Sequence, residues 1–342
     1  MKAWGSRLIT GQARGIGAGL LRGGLTVASW GYGLGVRLAR GLYDTRLRRP
    51  HRLACPVVSI GNLTWGGTGK TPLTAHLARW LQQRGVRVAI LTRGYGGDEP
   101  MVLRRLAAGV PVLVGADRVV SGRQAVASGA EALLLDDGFQ HWRVHRDLDI
   151  VLIDATAPFG NGALLPRGPL REPVSHLRRA GVVVITKADG PQADVERVSA
   201  QVHAVHPEAL VVTARYRPER FELWPAGTSQ PLTALGGGRA CVLSGIADPA
   251  AFEALVTRVG VVPVLTRRFV DHHPYCASDL EEVVSASREA GAAWIVTTLK
   301  DAVRFPPGRP AGTGIPIAVL HVTMELDGEA ALLRRLSAVY GC

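Results

Sequence analysis

A β-like run, Val57-Val58-Ser59-Ile60-Gly61-Asn62, leads into Leu63-Thr64-Trp65-Gly66-Gly67-Thr68-Gly69-Lys70-Thr71-Pro72. A hydrophobic strand, a glycine-rich turn and Gly-Lys-Thr opening a helix make a phosphate cradle. Glycines let backbone N–H groups converge on an anion, and the helix N-terminus adds partial positive charge. Gly66, Gly67, Thr68 and Gly69 would line that cradle, Lys70 would reach terminal phosphates, and the Thr71 hydroxyl would ligate Mg²⁺. Pro72 suits a first helical turn, and Leu73, Leu77, Trp80 and Leu81 recur at helical spacing. Thr64 stands where the generic G-x-x-x-x-G-K-[ST] pattern has its first glycine.

Other chemistry-bearing residues fall at strand ends. Leu133-Leu134-Leu135-Asp136-Asp137-Gly138 places two carboxylates where a second phosphate-loop strand delivers its Mg²⁺-directed acid. Asp98, in Gly97-Asp98-Glu99-Pro100, could take the proton of an attacking hydroxyl. The proline-stiffened stretch Leu165–Pro173 offers Arg167, Arg171 and Glu172, the guanidinium forks suiting phosphate or carboxylate recognition. Asp271-His272-His273-Pro274-Tyr275 fits a carboxylate-oriented histidine better than a metal site, because no further ligands fall at metal-site spacing. Thr186-Lys187-Ala188-Asp189 resembles the base-reading N-K-x-D of GTPases, with Thr186 replacing the asparagine.

To position these groups the chain alternates β and α. Strands are expected at 56–61, 86–92, 110–114, 131–136, 149–154, 181–186 and 209–214, with helices at 71–84, 117–129 and 193–204. Continuous apolar runs such as Gly181–Ile185 read as strands buried on both faces of a parallel sheet. The fold class expected is α/β: a P-loop-containing doubly wound parallel sheet, a second, smaller α/β domain, and a basic N-terminal membrane-associating helical arm. The divisions expected are the arm at 1–54, the P-loop kinase-type domain at 55–217, a Pro/Gly-rich linker at 218–238 and the C-terminal α/β domain at 239–342, closed by a helix over 327–339.

The chain has 342 residues, 47% of them hydrophobic, and a net charge of +12. Its four scattered cysteines, with no C-x-x-C pair, fit a reducing compartment. Residues 1–54 hold ten lysines and arginines against one acid, Asp44, a local charge of +9. Leu20, Leu21, Trp30, Tyr32, Leu34 and Leu38 are interleaved with Arg22, Arg37 and Arg40, as in a helix lying in an anionic membrane interface. A membrane span would need ~20 uninterrupted apolar residues. A signal peptide would not carry arginines through its apolar part, and a nucleic-acid arm would be poorer in aliphatic side chains.

Taken in order, the motifs resemble the tetraacyldisaccharide 4'-kinase family, the lipid A 4'-kinases of bacterial outer-membrane biosynthesis. The resemblance is carried by Gly61-Asn62-Leu63-Thr64 running into Gly66–Pro72, by Arg93-Gly94-Tyr95-Gly96 and Gly97–Pro100, and by Val114-Gly115-Ala116-Asp117-Arg118. Asp136–His141, Leu170-Arg171-Glu172-Pro173, Thr186-Lys187 and Asp271–Tyr275 complete it, over about residues 40 to 305. It implies ATP-dependent phosphorylation of the 4'-hydroxyl of a tetraacylated glucosamine disaccharide 1-phosphate, with ATP and Mg²⁺ at the phosphate loop. It implies Lys70 and Asp98 as catalytic residues, Asp98 assisted by His272 or His273. On the same motifs Asn62, Arg118 and Arg171 are expected to bind substrate, and Asp136, Asp137 and Glu172 to join Thr71 at the metal. The expected partners are an anionic membrane surface and an acylated disaccharide glycolipid, with no nucleic acid and no obligate protein partner. The expected location is peripheral, on the cytoplasmic face of the bacterial inner membrane.

Two departures stand out. Relatives carry an insertion between R-G-Y-G and G-D-E, whereas here the motifs abut through Gly96-Gly97; and Leu299 replaces an acid before Lys300-Asp301. The alternative function is a membrane-associated switch ATPase of the partitioning type, whose loop reads K-G-G-x-G-K-[ST]; Trp65 occupies the position of its signature lysine.

Overall fold

The computed structural model describes residues 15–94, 97–190, 193–308 and 314–342, with the side chain of Ile16 excepted. Tyr95 and Gly96 of the R-G-Y-G motif, and residues 1–14 of the basic arm, lie outside the described residues. In chain order the elements begin with α1 (Ile16–Asp44), β1 (Val57–Asn62), α2 (Lys70–Gln83), β2 (Val88–Thr92), α3 (Glu99–Leu106), β3 (Val112–Val114) and α4 (Arg118–Ala127). There follow β4 (Ala132–Asp136), β5 (Leu148–Asp154), β6 (Val182–Thr186), α5 (Val195–Val205), β7 (Leu210–Trp224) and β8 (Thr228–Gln230). The chain continues with β9 (Arg239–Ser244), α6 (Pro249–Arg258), β10 (Val262–Arg268), α7 (Ala277–Glu289), β11 (Trp294–Thr298), α8 (Leu299–Ala302), β12 (Ile317–Asp327) and α9 (Glu329–Tyr340).

These elements group into two compact units. The first runs to Arg93, resumes over Gly109–Arg215 and closes with Leu326–Cys342. Its strands pair in parallel in the order β6-β5-β1-β4-β2-β3, with the start of β7 beside β6. Every residue of β1, β2, β4 and β6 is buried, as both-face coverage requires of continuous apolar strands. Ile60 of β1 lies opposite Asp136 of β4, so the β1 exit into the glycine loop and the acidic exit of β4 share one edge of the sheet. That close approach needs Gly61: a Cβ there would lie 2.5 Å from Cβ of the fully buried Phe139.

The second unit comprises Gly94–Ala108 and Tyr216–Glu325. Its parallel strands run β10-β9-β11-β12, and the later part of β7 pairs antiparallel with β8. Leu243, Tyr275, Leu280, Val283, Leu299, Phe305 and Val319 form its core, joined by Val102 of α3.

Three boundaries differ from expectation. The 218–238 stretch contains the end of β7, all of β8 and a 3₁₀ turn, because Phe221 and Leu235 bury their side chains where turn residues alone would leave none to bury. The closing helix α9 belongs to the first unit, where Leu332 and Leu336 are buried and Tyr340 Oη donates to Leu133 O at 2.8 Å. Residues 94–108 group with the second unit through the burial of Val102 and Leu103.

Candidate active site

The glycine loop closes as its residue types demand. Gly66 and Gly69 have φ of +130° and +89°, conformations that side-chain-bearing residues rarely adopt, and Gly69 leads directly into α2. Asn62, at the end of β1, is fully buried and shapes the loop: its Nδ2 donates to Thr68 Oγ1 at 2.8 Å and its Oδ1 accepts from Arg171. Backbone bonds from Trp65 N to Pro169 O (2.8 Å) and from Arg171 N to Leu63 O (2.7 Å) fasten the arginine-bearing segment along the loop's entrance.

The two acids after β4 are treated very differently. Asp136 is buried and accepts from Thr74 Oγ1 at 3.1 Å and Thr71 Oγ1 at 3.4 Å. Burial pushes its carboxyl up to about 6, opposed by Lys70 and reinforced by the neighbouring Asp137 charge. Asp137 sits at φ +56° and takes both terminal nitrogens of Arg171, at 2.6 and 2.9 Å, with Lys70 Nζ at 3.6 Å. Burial alone would raise its carboxyl, but Lys70 and Arg171 outweigh it and hold it down at about 2. Both oxygens of Asp137 accept from one guanidinium, an engagement that Asp136 does not share.

Glu172 is likewise engaged by basic side chains. It is almost wholly buried, and its Oε2 is bound by His176 Nδ1 (2.5 Å) and Arg179 (2.7 Å), so it anchors the segment after Arg171. Asn62 and Arg171, both expected to bind substrate, contact each other and the loop. Arg118 is buried at the start of α4, donates to Gly115 O at 3.1 Å and contributes its charge to Asp137. Among the described residues no three His, Cys, Asp or Glu side chains cluster as a metal cage. Thr71 and Asp136 remain as adjacent hard oxygen donors, the sparse protein contribution typical of Mg²⁺ sites completed by phosphate and water. A buried carboxylate with raised proton affinity is one that a divalent cation would satisfy.

In the second unit Asp98 precedes α3 as its N-cap residue but makes no side-chain cap bond. Its buried carboxylate instead meets His272 Nδ1, 3.0 Å from each oxygen, with Arg304 Nε 3.6 Å from Oδ2. His272 is the histidine that faces Asp98. His273 turns instead to Asp279 (2.9 Å) and lies among Phe269 and Tyr275. Asp271 and Lys300 stand inside motifs already noted, Asp271–Tyr275 and Leu299-Lys300-Asp301, but were given no site role; Arg304 was missed, its one signal being its place three residues after Asp301.

Helix α1 lies in the first unit. Ser29 Oγ donates to Leu164 O and Tyr32 Oη to Arg171 O, both at 2.9 Å. Leu20, Val27, Trp30, Leu34 and Leu38 are exposed. Among the described residues no helix is long and apolar enough to cross a membrane.

The family model for tetraacyldisaccharide-1-P 4'-kinase matches residues 21–97 and 96–340, dividing where the sequence shows its shortened loop. The tetraacyldisaccharide 4'-kinase of Anaeromyxobacter dehalogenans (strain 2CP-C) is 44% identical over 322 residues, covering 86% of this chain and 84% of the relative. That of Geobacter metallireducens is 41% identical over 83% of this chain and 88% of its own. The crystal structure of the "apo" form of LpxK from Aquifex aeolicus in complex with ATP is similar with a TM-score of 0.75 at 26% identity, covering 94% of this chain and 99% of that one.

Proposed function

From the premise that the chain belongs to the tetraacyldisaccharide-1-phosphate 4'-kinase family, we propose how its own residues divide the chemistry. The enzyme is a phosphotransferase that uses ATP to phosphorylate the 4'-hydroxyl of a tetraacylated disaccharide 1-phosphate in lipid A biosynthesis. The observation that carries the reading is the glycine loop with Lys70 and Thr71 set beside Asp136 at one sheet edge. Lys70 compensates charge on the β- and γ-phosphates as the γ-phosphoryl group leaves. Thr71 and Asp136 would hold Mg²⁺, which neutralises charge developing on the phosphates when bound. Asn62, Arg171 and Asp137 keep the loop in shape and the cationic groups aligned.

Asp98 receives the proton of the acceptor hydroxyl and His272 orients its carboxylate, supported by the two 3.0 Å contacts between them. The exposed apolar residues of α1, together with Arg22 and Arg37, seat the enzyme on an anionic membrane surface, peripherally on the cytoplasmic face of the inner membrane. Transfer of labelled γ-phosphate to a panel of disaccharide glycolipids tests the reading. Label in the acylated disaccharide 1-phosphate is the expected result. Label recovered only as inorganic phosphate would sink the kinase assignment and favour the switch ATPase.

A further inference from the structure

The face of His272 turned from Asp98 meets a lysine that the phosphate chemistry leaves unused. Lys300 Nζ lies 3.3 Å from His272 Nε2 and 2.8 Å from Asp271 Oδ1. Asp271 Oδ2 is 3.7 Å from the same Nε2. The imidazole therefore has the Asp98 carboxylate at Nδ1 and a lysine–aspartate pair at Nε2. Arg304, 3.6 Å from Asp98, is the other charge on the carboxylate's side.

An ammonium carries donors and no acceptor. The Nε2 that faces it must present its lone pair, which leaves the ring proton on Nδ1, directed at Asp98. The opposite tautomer would set an N–H against the ammonium and a bare lone pair against a carboxylate, two repulsive contacts. Without Lys300 the group facing Nε2 would be Asp271, a carboxylate that accepts and would draw a proton to that nitrogen.

The surroundings hold both partners in place. Lys300 sits on α8, whose start is fixed by Asp301 N donating to Thr298 Oγ1 at 3.0 Å. Its carbonyl accepts from Arg304 Nε at 2.9 Å, and Leu299 beside it is buried in the apolar core. Leu299 thus serves as a packing residue, and Lys300 beside it stands at the histidine. His272 has a φ of +61°, a conformation uncommon outside glycine, and its ring is held between Asp98 and Lys300.

We propose that Lys300, anchored by Asp271, is a positioning residue that fixes His272 in the Nδ1–H tautomer, so that the imidazole donates to Asp98 and the carboxylate receives the acceptor's proton. This inference rests on the Asp98–His272 reading above. The test is a two-bond ¹H–¹⁵N correlation spectrum of the full chain labelled with ¹⁵N-histidine, the His272 signals assigned by their loss in His272→Gln. The expected wild-type pattern is a protonated Nδ1 and an unprotonated Nε2. Lys300→Met should add a proton at Nε2, giving a doubly protonated ring between Asp98 and Asp271 that no longer leaves Nε2 bare, and lower kcat on the order of tenfold, a fraction of what a positioned acid–base group contributes, with KM for ATP unchanged. Lys300→Arg, which keeps a charged donor, should restore both readouts.

A wild-type Nε2–H, or an Nε2 that stays unprotonated in folded Lys300→Met, overturns the proposal whatever happens to kcat. If Lys300→Met does not fold by circular dichroism, Lys300→Leu decides: it also removes the donor, and an Nε2 that stays unprotonated in that variant overturns the proposal equally. The underlying reading fails separately, through an Asp98→Asn enzyme of undiminished kcat, since the tautomer is read without turnover.

Discussion

The phosphate-loop region of the first unit and the Asp98–His272 region of the second manage charge in opposite ways. Around the loop, cations are lent to an internal acid: Asp137 holds Arg171 at 2.6 and 2.9 Å and Lys70 at 3.6 Å. Two adjacent carboxyls are driven apart, to about 6 and about 2. Around Asp98 a carboxylate is buried against a histidine, and the charges follow one another in the order Arg304, Asp98, His272, Lys300, Asp271. The first arrangement suits a site that awaits a polyanion, because its cations are already gathered and the looser one, Lys70, can be transferred to the ligand. The second suits a site that must hold one proton acceptor in one orientation. Binding and proton handling are thus built by different electrostatic devices.

If that contrast is right, the largest loss comes from the transferable cation. Lys70→Ala should lower kcat on the order of 10³-fold or more, as expected for removing charge stabilisation from a transferring phosphoryl group, with the fold intact by thermal melting. Near-normal kcat in the folded variant would break the assignment. Asp98→Asn comes next, with kcat reduced on the order of 10²- to 10³-fold and ATP affinity preserved, measured by nucleotide titration beside steady-state rates. Loss of ATP binding instead would place Asp98 with the nucleotide and erase the distinction between the regions.

Arg171→Ala sharpens the comparison from the other side. It strips Asp137 of its bidentate partner and leaves the buried Asn62 Oδ1 without its donor. An unsatisfied buried acceptor costs about 1–3 kcal/mol, so a lowered melting temperature and a raised KM for ATP are expected. A change confined to the glycolipid KM would return Arg171 to the role of a substrate contact.

The same contrast explains which parts were legible in advance. Contiguous chemistry was readable: Gly66–Thr71 and Asp136 stand at strand ends that the apolar runs of β1 and β4 define unaided. Side-chain pairing over distance was not. Nothing in Asp137 announces that Arg171 will occupy both its oxygens, or in Glu172 that Arg179 and His176 will claim it. His272 and His273 are neighbours in sequence with no local feature to rank them; the positive φ of the first and the aromatic packing of the second separate them only in the folded chain. The 218–238 stretch misled because prolines and glycines flank Phe221, whose burial keeps the strand going.

A smaller effect is expected from pH. Asp136 is raised to about 6 by burial, above the ordinary carboxylate range. The folded protein therefore keeps a proton there that the unfolded chain has released, and this contribution to stability is present at low pH and fades as pH rises through about 6. A bound Mg²⁺ needs the ionised form, so apparent Mg²⁺ affinity should weaken about tenfold per pH unit below that point. Metal titrations at two pH values measure it. Asp136→Asn should remove the pH dependence, and a wild-type Mg²⁺ requirement that is flat with pH would take Asp136 away from the metal.

The smallest effects per residue belong to α1, which is tied to the phosphate-loop region through Leu164 O and Arg171 O. Deleting the helix would disturb that segment as well as any membrane contact, so the sharper variants change only exposed positions and the half-buried Arg22. Leu34 and Trp30 are 58% and 70% exposed, and Arg37 lies exposed beside them. Trp30→Ser with Leu34→Ser should reduce binding to anionic vesicles at any salt concentration, because apolar insertion is not screened. Arg22→Gln with Arg37→Gln should cost about 1 kcal/mol per charge at low ionic strength and little at high salt, where the surface potential is screened. Both pairs should leave hydrolysis or transfer with a detergent-dispersed acceptor unchanged, since Ser29 and Tyr32 still hold the helix to the loop. Vesicle co-sedimentation across a salt series separates the two contributions. Equal sedimentation of wild type and both variants would mean that the exposed face of α1 meets something other than lipid.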